Sequence, residues 1–334
     1  MDVKYYGEGV SLLIIGTFGI IGNVLAIVMF SRQLLQKSFY GLMLSLAAFD
    51  LLYITTSILC YGIPQLSDEY NASAINKYNL PWIRSLTYIA MTGSIYFTMA
   101  ITIERYVTVC RPLYRVSHSW PNKRLVFFLV AIAILYNIPR FLELECIECN
   151  ECSEDGNITS SFQVIPTKLR ANNYYYRIYE ICLPLLLMSF GPFVLLVVLN
   201  ALIVRELVRS SNHLPVIAVS GPGLEHALHQ RRREIVLAKV SLAIVFVFIL
   251  CHSLKWIPNV YELIYPPNMN EWGNWVKIIT HFSHLALVFN SSVNFYIYLG
   301  KHWQTRQTIF NIPKSSASNQ TEMTRLHTRS LLND

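Results

Sequence analysis

Glu104, Arg105 and Tyr106 stand together at the end of a long apolar stretch, followed by Cys110, Arg111, Pro112 and Leu113. An acid beside a guanidinium at the end of a membrane-length helix makes an ion pair that can be closed or opened, which is the chemistry of a switch. A second constellation lies deeper in the apolar runs: Asn23, Asp50, Ser94, Asn290, Ser291 and Asn294 are polar residues in otherwise apolar surroundings. A charge at the centre of a bilayer costs about 2.5–3.5 kcal/mol even on the gentlest scale, so each of these groups is expected to face protein. A carboxylate ringed by Ser and Asn oxygens is a hard-ligand site for a small cation, and Asp50, Ser94, Asn290 and Ser291 are the candidate ligands of a sodium ion. Ser and Asn also serve as hydrogen-bonding glue between helices. That alternative fits the amides and hydroxyls better than it fits Asp50.

The elements that must position these groups are membrane spans. The chain is 53% hydrophobic and 14% charged, a membrane composition. A bilayer core takes roughly 20 apolar residues, and the stretches 10–30, 39–63, 85–109, 125–142, 178–204, 235–264 and 276–299 meet or approach that length. The expected fold is an all-α membrane protein, a seven-transmembrane helix bundle with a short cytoplasmic amphipathic helix after the seventh span. Residues 1–8 form the outer N-terminus, 9–311 the spanning domain and 312–334 a disordered cytoplasmic tail.

Lys and Arg set the orientation. Arg32, Lys37, Arg111, Arg115, Lys123, Arg124, Arg205, Arg209, Arg231, Arg232, Arg233 and Lys239 flank the spans on one side, which the positive-inside rule makes cytoplasmic. The other side carries Glu143, Glu145, Glu148, Glu151, Glu154 and Asp155, with glycan-acceptor sequons at Asn71 and Asn157. A multi-pass plasma-membrane protein with an extracellular N-terminus follows. The first stretch lacks a basic leader and a small-residue cleavage site, so it reads as a permanent span. The net charge of +7 is explained by bases meeting anionic lipid heads, without a nucleic-acid partner. Cys146, Cys149 and Cys152 lie in the acidic loop, and Cys60 and Cys182 lie near the outer ends of two spans. In an oxidising compartment these are expected to form a disulfide from the loop to Cys60 or Cys182.

Asn23, Leu46 to Asp50, Glu104-Arg105-Tyr106, Pro192 and the run from Asn290 to Tyr298 together resemble the rhodopsin-like G-protein-coupled receptors. The stretches Glu104 to Cys110, Leu135 to Arg140 and Cys251 to Asn259, with Phe295 where the seventh span usually has proline, look like the invertebrate FMRFamide-type neuropeptide receptors. The resemblance implies that Glu104 restrains Arg105, that Arg105 meets a heterotrimeric G protein in the active state, and that Tyr106, Asn294 and Tyr298 belong to the same switch. It implies a connector of Ile95, Pro192 and Phe248 between pocket and cytoplasmic face. It also exposes departures: Leu80 stands where the family's outer cysteine falls, and Asn200 stands where a tyrosine is common.

The same resemblance tests ligand classes. An amine counter-ion would fall at Thr87 and a retinal-bearing lysine at Val288, so neither class is supported. What remains is an acidic, aromatic mouth with Glu180, Glu262, Trp256, Tyr261, Thr87, Tyr88, Met91 and His284 as the expected ligand contacts. Acids and aromatics suit a cationic peptide bearing Arg and Phe, so an amidated peptide ending in Arg-Phe is the expected agonist. A solvated loop is the usual fate of such an acidic run. Serine and threonine in the tail, from Ser315 to Thr328, are candidate arrestin-recruiting phosphosites. The competing classes are a peptide receptor of another type, an orphan or decoy receptor, and a transporter. The paired broken repeats of many transporters are not visible, and no nucleophile or metal set suggests an enzyme.

Overall fold

The computed structural model describes residues 8–33, 38–111, 113, 122–152, 158–212, 222–265 and 273–310, with backbone alone at 33, 38, 122, 149–152, 158–160, 210–212, 222–234 and 301–310. Its helices are α1 Ser11–Gln33, α2 Ser38–Ser57, α3 Ala74–Cys110, α4 Asn122–Asn137, α5 Gly191–Asn212, α6 Pro222–Leu254, which resumes at Trp256–Ile264, and α7 Asn274–Phe310. Six of these regions are long and apolar enough to cross a membrane. The seventh, α7, has the length, but Asn274, Lys277, His281, His284, Asn290 and Asn294 dilute its apolar character. The chain divides into two compact units, Met1–Ile297 and Tyr298–Asp334. In the second, residues 298–310 are helical, which accommodates the helix expected beyond the seventh span. The tail expected at 312–334 lies outside the described residues.

Proline and caps explain the helix limits that matter for the site. The side chain of Ser73 accepts from the backbone N–H of Asn76 at 3.2 Å and starts α3 well before the span expected from hydropathy. Arg84 is thereby carried on the same rigid helix as Arg105. In α6, Pro258 has no N–H to offer the carbonyl of Leu254, and the helix breaks there, with Lys255 at the break. Before α5 the chain is wound as wider π turns at Tyr176–Cys182 and Leu185–Phe190. Such turns recur at functional sites.

The structure adds two features to these expectations. Within the acidic loop Leu144–Cys152 (β1) pairs antiparallel with Ile158–Pro166 (β2), Leu144 opposite Pro166 and Cys152 opposite Ile158, so the helical bundle carries a hairpin. It is seated on the start of α3, where Tyr78 meets Phe162 at 5.4 Å between ring centroids. Glu8, the last residue of the outer N-terminal segment, is helical and buried, ion-paired with His281 and 3.5 Å from His284 Nδ1.

Helix α3 is the central element, packed against α2, α4, α5 and α6. One core cluster joins Leu12, Tyr53, Ile54, Ile58, Ala90, Leu287 and Val288. Where α1 crosses α7, Gly19 allows close approach: a Cβ there would lie 2.8 Å from Ser292 Cβ.

Candidate functional site

The candidate residues of the sequence are distributed over three levels of one helical unit. At the hairpin end, a cavity of about 370 Å³ opens between the helices. Its walls include Tyr61, Arg84, Tyr88, Met91, Arg140, Glu180, Lys255, Glu262 and His284. Of the expected ligand contacts, Glu180, Glu262, Tyr88, Met91 and His284 therefore line it. Thr87, Trp256 and Tyr261 do not. Thr87 donates to Ile83 O at 2.8 Å and turns toward Cys60. Trp256 lies beside Phe190 and Phe193, the latter at 4.8 Å between ring centroids, and Tyr261 stacks with Tyr265 and Trp275.

The acidic mouth is neutralised from within. Arg140 Nη1 reaches Glu180 Oε2 at 3.2 Å, while Arg170 Nη1 reaches Glu180 Oε1 at 3.0 Å and Glu143 Oε2 at 3.2 Å. Both oxygens of Glu180 are thus engaged by arginines of this chain. Thr92, Asn137 and Arg140 extend the network: Asn137 Nδ2 donates to Thr92 Oγ1 at 2.9 Å, and Asn137 Oδ1 accepts from Arg140 Nε at 3.2 Å. Arg140 also lies 3.7 Å from the Tyr88 ring centroid, a cation–π contact. Tyr175 donates to Glu143 at 2.8 Å and Tyr176 donates to Glu262. Glu143, only 2% exposed, is pushed up to about 7 by burial, and then by its hydrogen bond to and the charge of Glu180.

The cations lining this cavity, Arg84, Arg140, Arg170 and Lys255, are the candidate site residues the sequence reading passed over. A signal was available. Arg140 and Lys255 interrupt apolar spans on the side that the positive-inside rule leaves poor in bases, and ionisable residues in such positions mark sites.

The loop-to-span disulfide is not formed, since Cys60, Cys146 and Cys182 are all free. Cys60 is buried against Thr87, out of line with the hairpin. The side chains of Cys149 and Cys152 lie outside the described residues. Asn71 is exposed at the end of the short helix Asp68–Ala72, and Asn157 lies outside the described residues.

At mid-depth, Asp50 is fully buried, accepting from Ser94 Oγ at 2.6 Å on one oxygen and from Asn294 Nδ2 at 2.7 Å on the other. The Oδ1 atoms of Asn290 and Asn294 are buried with no hydrogen-bond partner among the described residues. A buried carboxylate with the hydroxyl of Ser94 and the amide of Asn294 against it has the oxygen-rich chemistry that suits a small hard cation. Asn23 ties α1 to this level by donating to Ser291 O at 3.0 Å. Below it, Ile95 and Phe248 meet in a core cluster with Met188, Leu196 and Val245, while Pro192 is buried one turn before Leu196. Asn200 donates back to Leu196 O at 2.6 Å.

At the far end of α3, Arg105 is 1% exposed. Its Nε donates to Glu104 Oε2 at 2.6 Å, and its guanidinium carbon lies 4.1 Å from the Phe39 ring centroid. Tyr106 follows on the helix, and Tyr298 begins the second unit.

Residues 22–298 match the model of the 7 transmembrane receptor (rhodopsin family). The chain is 32% identical to a Drosophila melanogaster FMRFamide receptor over 89% of its own length, yet it spans only 52% of that relative. It is 28% identical to the Caenorhabditis elegans FMRFamide peptide receptor frpr-18 over 91% of its length and 68% of the relative's. A human thyrotropin-releasing hormone receptor is 27% identical over 59% of the chain and 47% of the relative. With that match covering most of the sequence and every level of the site, the chain belongs to the rhodopsin family of seven-transmembrane receptors.

Proposed function

We propose that the protein is a plasma-membrane receptor for an extracellular amidated peptide of the Arg-Phe type and passes agonist binding to a heterotrimeric G protein. The observation that carries this reading is one helix, α3, bearing the cavity residues Tyr88 and Met91 at one end and the paired Arg105 at the other. The peptide class is supported by the names of the Drosophila and Caenorhabditis relatives. On this reading the hairpin end faces outward and the Arg105 end inward, in line with the distribution of Lys and Arg.

Signalling needs no chemical step. An agonist in the cavity shifts a conformational equilibrium by its differential affinity for two states. The core of Ile95, Val245 and Phe248 lies between that cavity and the switch end. In the resting state Glu104 and Phe39 hold the guanidinium of Arg105. In the active state Arg105 is released to the G protein. Asp50, Ser94, Asn290 and Ser291 would hold a sodium ion, which supplies positive charge beside the buried carboxylate and stabilises one of the states.

The test is a panel of amidated peptides ending in Arg-Phe applied to cells expressing the chain, with calcium or cyclic nucleotide as the readout. A saturable response to these peptides, much weaker for their free acids, is expected. Responses to unrelated amidated peptides alone would move the receptor to another peptide class.

A further inference from the structure

The cavity holds more cationic groups than its own acids engage. Arg140 and Arg170 share Glu180 and Glu143, and Glu262 receives the hydroxyl of Tyr176. Arg84 and Lys255 remain. Among the described residues neither has a carboxylate oxygen within 4.0 Å. Arg84 Nε is buried without a hydrogen-bond partner, and the contact of Lys255 Nζ is the thioether of Met91 at 3.7 Å. The two cations border the same side chain: Arg84 is hydrogen-bonded to Tyr88 and stands 5.9 Å from its ring centroid, with Glu180 acting on it only from beyond contact distance, and Lys255 is within electrostatic reach of Tyr88. Glu180 and Glu262 act on Lys255 only from beyond contact distance.

Cations withdrawn from water without a paired anion are costly, and a ligand that supplies the anion recovers the loss as affinity. Both side chains are fixed by elements built for other reasons, Arg84 by the extended start of α3 and Lys255 by the break that Pro258 imposes on α6. We propose that the cavity accepts a carboxylate of its ligand at Arg84 and Lys255 beside Tyr88, so that the agonist carries an acidic side chain in addition to its arginine. This rests on the peptide-receptor reading and narrows it. An amidated C-terminus is neutral, which leaves an aspartate or glutamate within the peptide as the source of the charge.

A matched panel of amidated hexapeptides ending in Arg-Phe, with Asp or Asn at each of the four preceding positions, tests the assignment. A charge-assisted hydrogen bond supports about a tenfold difference in potency. At one position or more, Asp should exceed Asn by about that factor at the wild-type receptor. The advantage should vanish in Lys255→Gln or Arg84→Gln and persist in Lys255→Arg, with surface amounts measured by antibody to an added tag. Peptides that signal equally with Asp and Asn at every position would overturn the proposal. So would an Asp advantage that survives both neutral variants. Silence from every peptide of the panel would instead remove the Arg-Phe peptide reading, and the inference with it.

Discussion

Arg105 sits with 1% of its surface exposed between a carboxylate and an aromatic face. A cation–π contact out of water is worth about 1 kcal/mol or more, so Phe39→Ala should shift the resting equilibrium and raise basal G-protein nucleotide exchange roughly fivefold. Exchange measured in membranes without agonist checks this; an unchanged basal rate would mean that Phe39 merely packs. The acid-Arg-Tyr triplet was legible in the sequence because its three members are adjacent. Phe39 was not, because an apolar residue in an apolar span gives no sign of which side chain it will touch.

Glu143 offers a second prediction at this scale. Its carboxyl, facing Glu180, Arg140, Arg170 and Tyr175, is raised from 4.5 to about 7. The folded protein therefore holds this proton over a range where the unfolded chain releases it. The associated stability is fully present below about pH 4.5 and is lost as pH rises through about 7. Glu143→Gln should flatten that component of the thermal-stability profile of the detergent-solubilised protein between about pH 4.5 and about pH 7, the interval these two values bracket. An identical profile for variant and wild type would refute the assignment.

Among the elements, α1 and α7 approach closely because Gly19 has no side chain. A Cβ at this position would lie 2.7 Å from Ile54 Cδ1 as well as 2.8 Å from Ser292 Cβ. Gly19→Ala should cost about 1–3 kcal/mol of stability, read as a lower melting temperature in detergent, whereas an unaffected melting point would show that the helices separate freely. The spans themselves were readable from hydropathy, since length and apolar composition suffice to define them. Their true ends were not: the start of α3 at Ala74 depends on the Ser73 cap, and the break at Lys255 depends on what Pro258 leaves unbonded. The hairpin escaped notice because Leu144-Glu145-Cys146-Ile147-Glu148 does not alternate apolar with polar residues, so the period-two sign of a strand is missing.

At the scale of the assembled spans, the acids Glu143 and Glu180 of the mouth are met by Arg140 and Arg170, while Arg84 and Lys255 have no carboxylate within 4.0 Å among the described residues. Glu180 joins Arg140 on the end of the fourth span to Arg170 after the hairpin. Its neutralisation in Glu180→Gln would leave two guanidiniums without that carboxylate, a loss of several kcal/mol in a buried setting. Binding of cationic and neutral peptides should fall alike, in a radioligand or fluorescent-peptide assay. A selective loss of the cationic peptide would instead make Glu180 a direct ligand contact. The acids could be read from the sequence but their partners could not, since ion pairs between residues 140, 143, 170 and 180 arise only when the spans are assembled. The central claim is that a peptide bound at one end of α3 releases Arg105 at the other. Its most direct test is agonist-stimulated nucleotide exchange on purified G protein, comparing wild type with Arg105→Ala at equal surface amount and equal peptide occupancy. Stimulated exchange in the wild type and none in the variant is the predicted result; exchange that persists without Arg105 would contradict it.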